Sequence, residues 1–176
     1  MIYKDYVNYM NSIDGEIIKK AKNIKLLILD VDGVLTDGGI YISENNVESK
    51  KFYAQDGHGL IMLKNIGIEI AIISGRYSKA VDHRGNELGC KRIIQNSKDK
   101  LKEFHNTFAQ KFNLKDVCFV GDDIVDMPLM KEVGLAITVP NANYNNLSSH
   151  AHWVTPRKGG YGAVRDVCDL IILAKK

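Results

Sequence analysis

Cysteine is scarce in this sequence. Cys90, Cys118 and Cys168 are the whole complement. They lie far apart, are odd in number and show no CxxC spacing. That argues against a disulfide framework or a zinc site and for reduced core thiols. Long apolar runs are missing too. Those present, such as Leu26 to Leu29 and Ile70 to Ile73, are far too short to span a bilayer. The N-terminal stretch MIYKDYVNYMNSIDGEIIKK has no apolar core of signal-peptide length. A soluble, cytoplasmic protein with no membrane partner is expected. Nor does one sign of charge dominate: 24 Lys and Arg against 21 Asp and Glu give a formal net charge of +3, with the basic residues scattered. A general nucleic-acid binder is therefore not expected, although a few cations could still converge on an anionic ligand. No repeat, low-complexity stretch or Pro/Gly-rich linker divides the chain, so residues 1–176 are expected to form one domain.

What is present is an ordinary globular composition, 45% apolar and 26% charged, with an alternating pattern. Ile24 to Leu29, Ile68 to Ile73 and Val117 to Val120 are apolar runs, broken only by Lys25 and Glu69 near their starts and bounded by polar or glycine residues. Such runs suit strands buried on both faces of a parallel sheet. Weaker short strands fit Arg92 to Ile94, Leu135 to Val139 and His152 to Val154. Helical patterns fit Gly59 to Ile66, Lys98 to Phe112 and Ala163 to Leu173, and the first 22 residues suit a short surface helix. Strands alternating with helices predict a doubly wound α/β fold. One segment interrupts the alternation. Ile40 to Ser43 and Val47 to Tyr53 flank Glu44-Asn45-Asn46 and predict a β-hairpin insertion at about 40–53, too small for a cap domain.

The three strongest strands end in Asp30, Ser74 and Gly121-Asp122. In an open α/β sheet, ligands bind beyond the C-terminal strand ends at a switch in strand order, so these residues are expected to be neighbours. In DVDGVLTDG, Asp30 to Gly38, the first carboxylate can attack phosphorus. Asp32 is placed to protonate a leaving alcohol and then to activate water. Gly33 lets the backbone turn sharply, though a strand end with an Asx-turn would explain the same residues. In ISGR, the Ser74 hydroxyl can donate to a phosphoryl oxygen and Arg76 can grip a phosphate or carboxylate, while a helix N-cap explains Ser74 equally well. A lysine of Lys98-Asp99-Lys100 could neutralise charge, or could simply open a solvated helix. In GDDIVD, carboxylates at a strand end suit Mg²⁺, with Asp30, the Asp32 carbonyl and Asp122 as ligands. Asp123 and Asp126 are ligands, supporting groups or helix-capping acids.

DVDGVLTDG, ISGR, the lysine of NSKDK and GDDIVDMP, in that order, resemble the haloacid dehalogenase superfamily of phosphatases. KFYAQDGHGL and GGYGAVRDVCDLI extend the resemblance, from about Ile24 to Leu173, to the 3-deoxy-D-manno-octulosonate 8-phosphate phosphatase family. The resemblance implies that Asp30 is the nucleophile, Asp32 the acid/base, and Ser74 and Lys100 the phosphoryl-binding groups. Asp30, Asp32 and Asp122 would hold Mg²⁺. Asp56, Gly57, His58 and Gly59 would form a substrate-facing loop, and Arg76 and Arg84 would bind a small anionic sugar phosphate. It further implies a homotetramer in which hairpins pair into a central barrel and the Pro156 to Gly162 loop enters a neighbour's site. Three positions depart from the family pattern: Ser74 stands where Thr is frequent, Gln55 where a basic residue is, and Tyr161 where Arg is. The last two remove positive charge and leave a nine-carbon keto-sugar acid phosphate as the alternative substrate. A noncatalytic oligomer-forming relative is disfavoured by the presence of Asp30, Asp32, Lys100 and Asp122. A phosphorylated receiver domain is disfavoured by Asp32.

Overall fold

The structure, a computed structural model, describes residues 6, 8–10, 12–142 and 147–176. The apolar run after Ile24 forms β1 (Leu26–Leu29), whose four residues are fully buried. Each such leucine or isoleucine contributes roughly 1.5–3 kcal/mol of burial free energy. β4 (Glu69–Ile73) and β6 (Val117–Val120) flank it in parallel, pairing Leu29 with Ile72 on one side and Val120 on the other. β5 (Arg92–Ile94), β7 (Leu135–Thr138) and β8 (Trp153–Val154) complete a six-stranded parallel sheet in the order β5-β4-β1-β6-β7-β8. The chain leaves β1 in one direction, through β4 to β5, then crosses back to add β6, β7 and β8. A crevice therefore opens beyond the C-terminal ends of β1, β4 and β6.

Helices α1 (Gly15–Lys22), α2 (Ala54–Asn65), α3 (Lys79–Glu87), α4 (Lys100–Thr107), α5 (Met127–Met130) and α6 (Ala163–Ala174) pack around the sheet. Among the described residues no helix is long and apolar enough to cross a membrane. α6 packs against both α1 and α2. The helix expected within the first 22 residues is observed as α1, capped by the Asp14 carboxylate on the Glu16 N–H. Residues 1–5, 7 and 11 lie outside the described residues. The hairpin is real but short: β2 (Tyr41–Ile42) pairs with β3 (Glu48–Ser49), and Asn46 takes the left-handed conformation at its turn.

Two boundaries correct the sequence reading, and one helix, α3, was not read from it. α4 begins at Lys100, not Lys98, because the Asp99 carboxylate accepts from the Lys102 N–H at 3.0 Å and caps the helix there. α3 carries few apolar residues, so its periodicity is faint; it is held by buried Val81, and by Gly85 pressed on Ile93 and Ile72. α2 begins at Ala54, so Asp56, Gly57, His58 and Gly59 are helical and do not form a loop. The two glycines, poor helix formers, concealed this. Packing is the reason for Gly59: a Cβ there would lie 3.0 Å from the Cys168 Cβ of α6, whereas one on Gly57 would meet the flexible end of the Arg84 side chain.

Candidate active site

Asp30 continues β1 by one residue, its N–H donating to the Val120 carbonyl at 3.0 Å, and then the chain turns. Gly33, at φ +89°, makes that turn possible, since a Cβ there would lie 1.9 Å from Asp122 Oδ2. The turn is closed by the Thr36 hydroxyl and N–H, both donating to the Val31 carbonyl. It is also clipped from outside. Asn141 donates to the Gly33 carbonyl at 3.0 Å and accepts from the Gly159 N–H at 2.8 Å. The Pro156 to Gly162 loop thus lies on its own chain's Asp30 turn.

Asp30, Ser74, Lys100 and Asp122 meet in an open pocket of about 360 Å³, with Asp32 and Arg76 on its wall. Lys100 projects from the first turn of α4 and is buried, its Nζ 2.8 Å from Asp30 Oδ1 and 2.5 Å from Asp126 Oδ1. Burial opposes its charge, but the two carboxylates outweigh it and raise its proton affinity. Ser74 is buried at the end of β4, its Oγ accepting from the Arg76 N–H at 3.3 Å and its proton free to serve an incoming oxygen.

Carboxylate atoms of Asp30, Asp122 and Asp126 lie within 4.8 Å of one another. Asp126 has no solvent exposure and is already committed: one oxygen holds Lys100, and the other accepts from the N–H groups of Asp122 and Asp123 at 2.9 and 3.2 Å. Asp126 therefore builds the site and shapes its strand end. Asp123 caps the turn after it, accepting from the Ile124 N–H at 2.7 Å. Asp30 and Asp122 carry the surplus. Burial, eased by Lys100 and aggravated by Asp126, pushes the Asp30 carboxyl up to about 6. Burial, then Asp30 and Asp126, pushes Asp122 up to about 8. Three crowded carboxylates against one lysine form a hard, oxygen-rich donor set short of positive charge, which fits a magnesium ion held by Asp30, Asp122 and the Asp32 carbonyl.

Three residues around the site were missed in the sequence. Lys50 and Glu48, from the end of the hairpin, reach Asp32 and Arg76: Lys50 Nζ is 2.5 Å from Asp32 Oδ1, and Arg76 Nη2 is 2.8 Å from Glu48 Oε2. In sequence they are alternate charged residues of a short strand, indistinguishable from a solvated face. Asn141 gave no signal either.

The remaining expected substrate-binding residues lie elsewhere. Asp56 is buried and accepts from the Arg165 N–H at 2.7 Å, at the start of α6. Burial pushes its carboxyl up to about 6. Gly57 and Gly59 are buried in helix packing. His58 faces a second pocket of about 740 Å³, shared with Gln55, Arg157 and Arg165. Arg84 pairs with Glu87 at 2.7 Å. None of these lines the Asp30 pocket in the single chain.

No protein-family model matches the chain. Among curated proteins it is similar to 3-deoxy-D-manno-octulosonate 8-phosphate phosphatase KdsC of Yersinia pestis, 44% identical over 164 residues, which covers 93% of this chain and 87% of the relative. The same enzyme of Escherichia coli K12 is 44% identical over 165 residues, with the same coverage. Among solved structures it is similar to the 3-deoxy-D-manno-octulosonate 8-phosphate phosphatase of Moraxella catarrhalis in complex with magnesium ion, phosphate ion and KDO. The TM-score there is 0.87 at 44% identity, covering 91% of this chain and 92% of that one.

Proposed function

The chain belongs to the 3-deoxy-D-manno-octulosonate 8-phosphate phosphatase family of the haloacid dehalogenase superfamily, and we propose that it is a magnesium-dependent phosphatase that hydrolyses 3-deoxy-D-manno-octulosonate 8-phosphate to the free sugar acid and phosphate in lipopolysaccharide precursor synthesis. The observation that carries this reading is the convergence of Asp30, Ser74, Lys100 and Asp122 on one pocket at the switch point of the sheet. An Asp30 oxygen attacks phosphorus in line. The bond from phosphorus to the sugar oxygen breaks, its electron pair stays on that oxygen, and the Asp32 carboxyl supplies the proton. Water then attacks the aspartyl-phosphate and gives a proton to Asp32, and the Asp30 carboxylate is restored as phosphate leaves. Ser74 donates to a phosphoryl oxygen, and Lys100 offsets the charge that gathers there. Magnesium, when bound, supplies further positive charge against Asp30 and the phosphoryl group.

Arg76, at the pocket wall, is the substrate cation closest to the chemistry in this reading. The 56–59 segment and Arg84 serve the sugar only if a neighbouring subunit brings a second surface to the pocket, which fits a homotetramer. Exposure of Ile40, Ile42 and Val47 on the hairpin supports such an assembly. A cytoplasmic location and a single domain over residues 1–176 belong to the same reading. At the two departures that remove positive charge, cations come close from other residues: Arg157 donates to Gln55 Oε1 at 3.2 Å, and Lys51 Nζ stands 4.0 Å from the Tyr161 ring centre. This supports the eight-carbon acid over a nine-carbon one.

The test is phosphate release, with and without Mg²⁺, from 3-deoxy-octulosonate 8-phosphate, nine-carbon keto-acid 9-phosphates and hexose phosphates. Magnesium-dependent preference for the eight-carbon acid is expected. Preference for a nine-carbon acid would overturn the substrate, and no release from any of them would overturn the activity.

A further inference from the structure

We infer that Lys50 is a positioning residue for Asp32, so that the hairpin takes part in leaving-group departure. The inference deepens the phosphatase reading and rests on it. The Lys50 side chain is only 1% exposed, although it directly follows a two-residue strand at the surface. Lysine rarely surrenders its water merely to pack. Here two carboxylates compensate the burial: Asp32 Oδ1 at 2.5 Å and Glu48 Oε1 at 3.1 Å from Nζ. Glu48 in turn holds Arg76 at 2.8 Å, and Arg76 Nε stands 3.7 Å from Asp32 Oδ2. The four side chains form a closed ring of alternating charge between the hairpin and the pocket.

Asp32 needs such a hold. It sits in a tight turn directly before Gly33, with its carboxylate projecting to the pocket wall. Among the described residues, Lys50 is its one contact at hydrogen-bond distance. With Oδ1 held by Lys50 and Oδ2 approached only loosely, Oδ2 is the oxygen left to hand over a proton. A proton donor displaced by about 1 Å can lose roughly 10²-fold in rate. Lys50 does not touch the reacting atoms; it acts through Asp32.

Leaving-group chemistry separates this role from a merely structural one. A sugar alkoxide needs a proton to depart, whereas 4-nitrophenolate departs without one. kcat/KM, which reports on the steps up to leaving-group departure, is measured for both phosphates in wild type, K50M, K50R, D32N and D32N/K50M, with melting curves as folding controls. K50M is expected to lose about 10²-fold on 3-deoxy-octulosonate 8-phosphate and less than about 5-fold on 4-nitrophenyl phosphate. K50R recovers most of the loss, and K50M adds nothing once Asp32 is already Asn. Equal losses on the two substrates, or additive losses in the double variant, would overturn the inference. If K50M does not fold, K50Q, which keeps a donor without the charge, is read in the same comparison. A wild-type protein that releases phosphate from neither substrate would instead bring down the phosphatase reading, and this inference with it.

Discussion

Buried and half-buried carboxylates gather in two regions of this molecule, and their charge is balanced in different ways. In the crevice, Asp30, Asp122 and Asp126 share one cation, Lys100. Around α6, Asp56, Asp166 and Asp169 meet Arg157, Arg165, the Tyr6 hydroxyl and the α6 N-terminus. Burial raises the carboxyls of Asp30 and Asp56 to about 6 alike. A raised proton affinity therefore does not by itself mark the chemistry. The crevice is marked by a charge deficit that faces an open pocket, lined also by a free hydroxyl, at the ends of three strands. Around α6 guanidinium groups and helix N–H groups take up most of the carboxylate oxygens, Asp56 Oδ2 excepted, which is how a fold secures a helix end and a loop.

The strongest way to break this contrast is Asp30→Asn. It removes the nucleophile and keeps the shape. Phosphate release is expected to fall by roughly 10⁴-fold or more, with the thermal transition retained. Normal turnover in that variant would make the crevice as structural as the α6 region. Gly33→Ala comes next. Its methyl group would overlap the Asp122 carboxylate and strain a residue at φ +89°. Loss of about 10²-fold in activity is expected, together with a stability cost of about 1–3 kcal/mol in urea unfolding.

Metal removal sharpens the contrast through pH. Asp30 and Asp122 hold protons more tightly when folded than the ordinary carboxylate value of 3.8. In metal-free protein their stabilising contribution is thus fully present below the ordinary value. It is lost as pH rises through about 6 and then about 8. Saturating Mg²⁺ should raise the melting temperature more at about pH 8 than at about pH 5, because the cation replaces those protons. A magnesium shift that is flat across this range would remove the charge-deficit argument.

Much of the crevice was legible in the sequence because a parallel strand writes itself as an unbroken apolar run. Its last residue then lies at the sheet's C-terminal edge. Asp30, Ser74 and Asp122 could be brought together from that rule alone. Lys100 needed the family comparison, since a lysine at a helix start looks the same whether solvated or buried. Asp126 could not be told from a capping acid, and it serves as both support and partner to Lys100. Lys50, Glu48 and Asn141 were invisible, because a two-residue strand and a loop carry no period that says which way a side chain turns. The helix at Ala54 was hidden for a different reason: Gly57 and Gly59 lower local propensity, and Gly59 does so to admit Cys168.

The smallest expected effect tests the other side of the contrast. The Tyr6 hydroxyl lies 2.9 Å from both Asp166 Oδ1 and Asp169 Oδ2. It has a single proton to share between them. In Tyr6→Phe, Asp166 keeps the Arg157 guanidinium and the Arg157 N–H, and Asp169 keeps Arg165 at 2.8 Å. Neither carboxylate is stranded, so the cost should be near that of one net hydrogen bond, about 1 kcal/mol. It would be read as a lower urea midpoint with an unchanged m-value. kcat and KM for phosphate release should match wild type. A change in kcat would mean that the Arg157–Asp166 pair, through the loop that rests on the Asp30 turn, sets the chemistry as well as the fold, and the two regions would have to be treated as one.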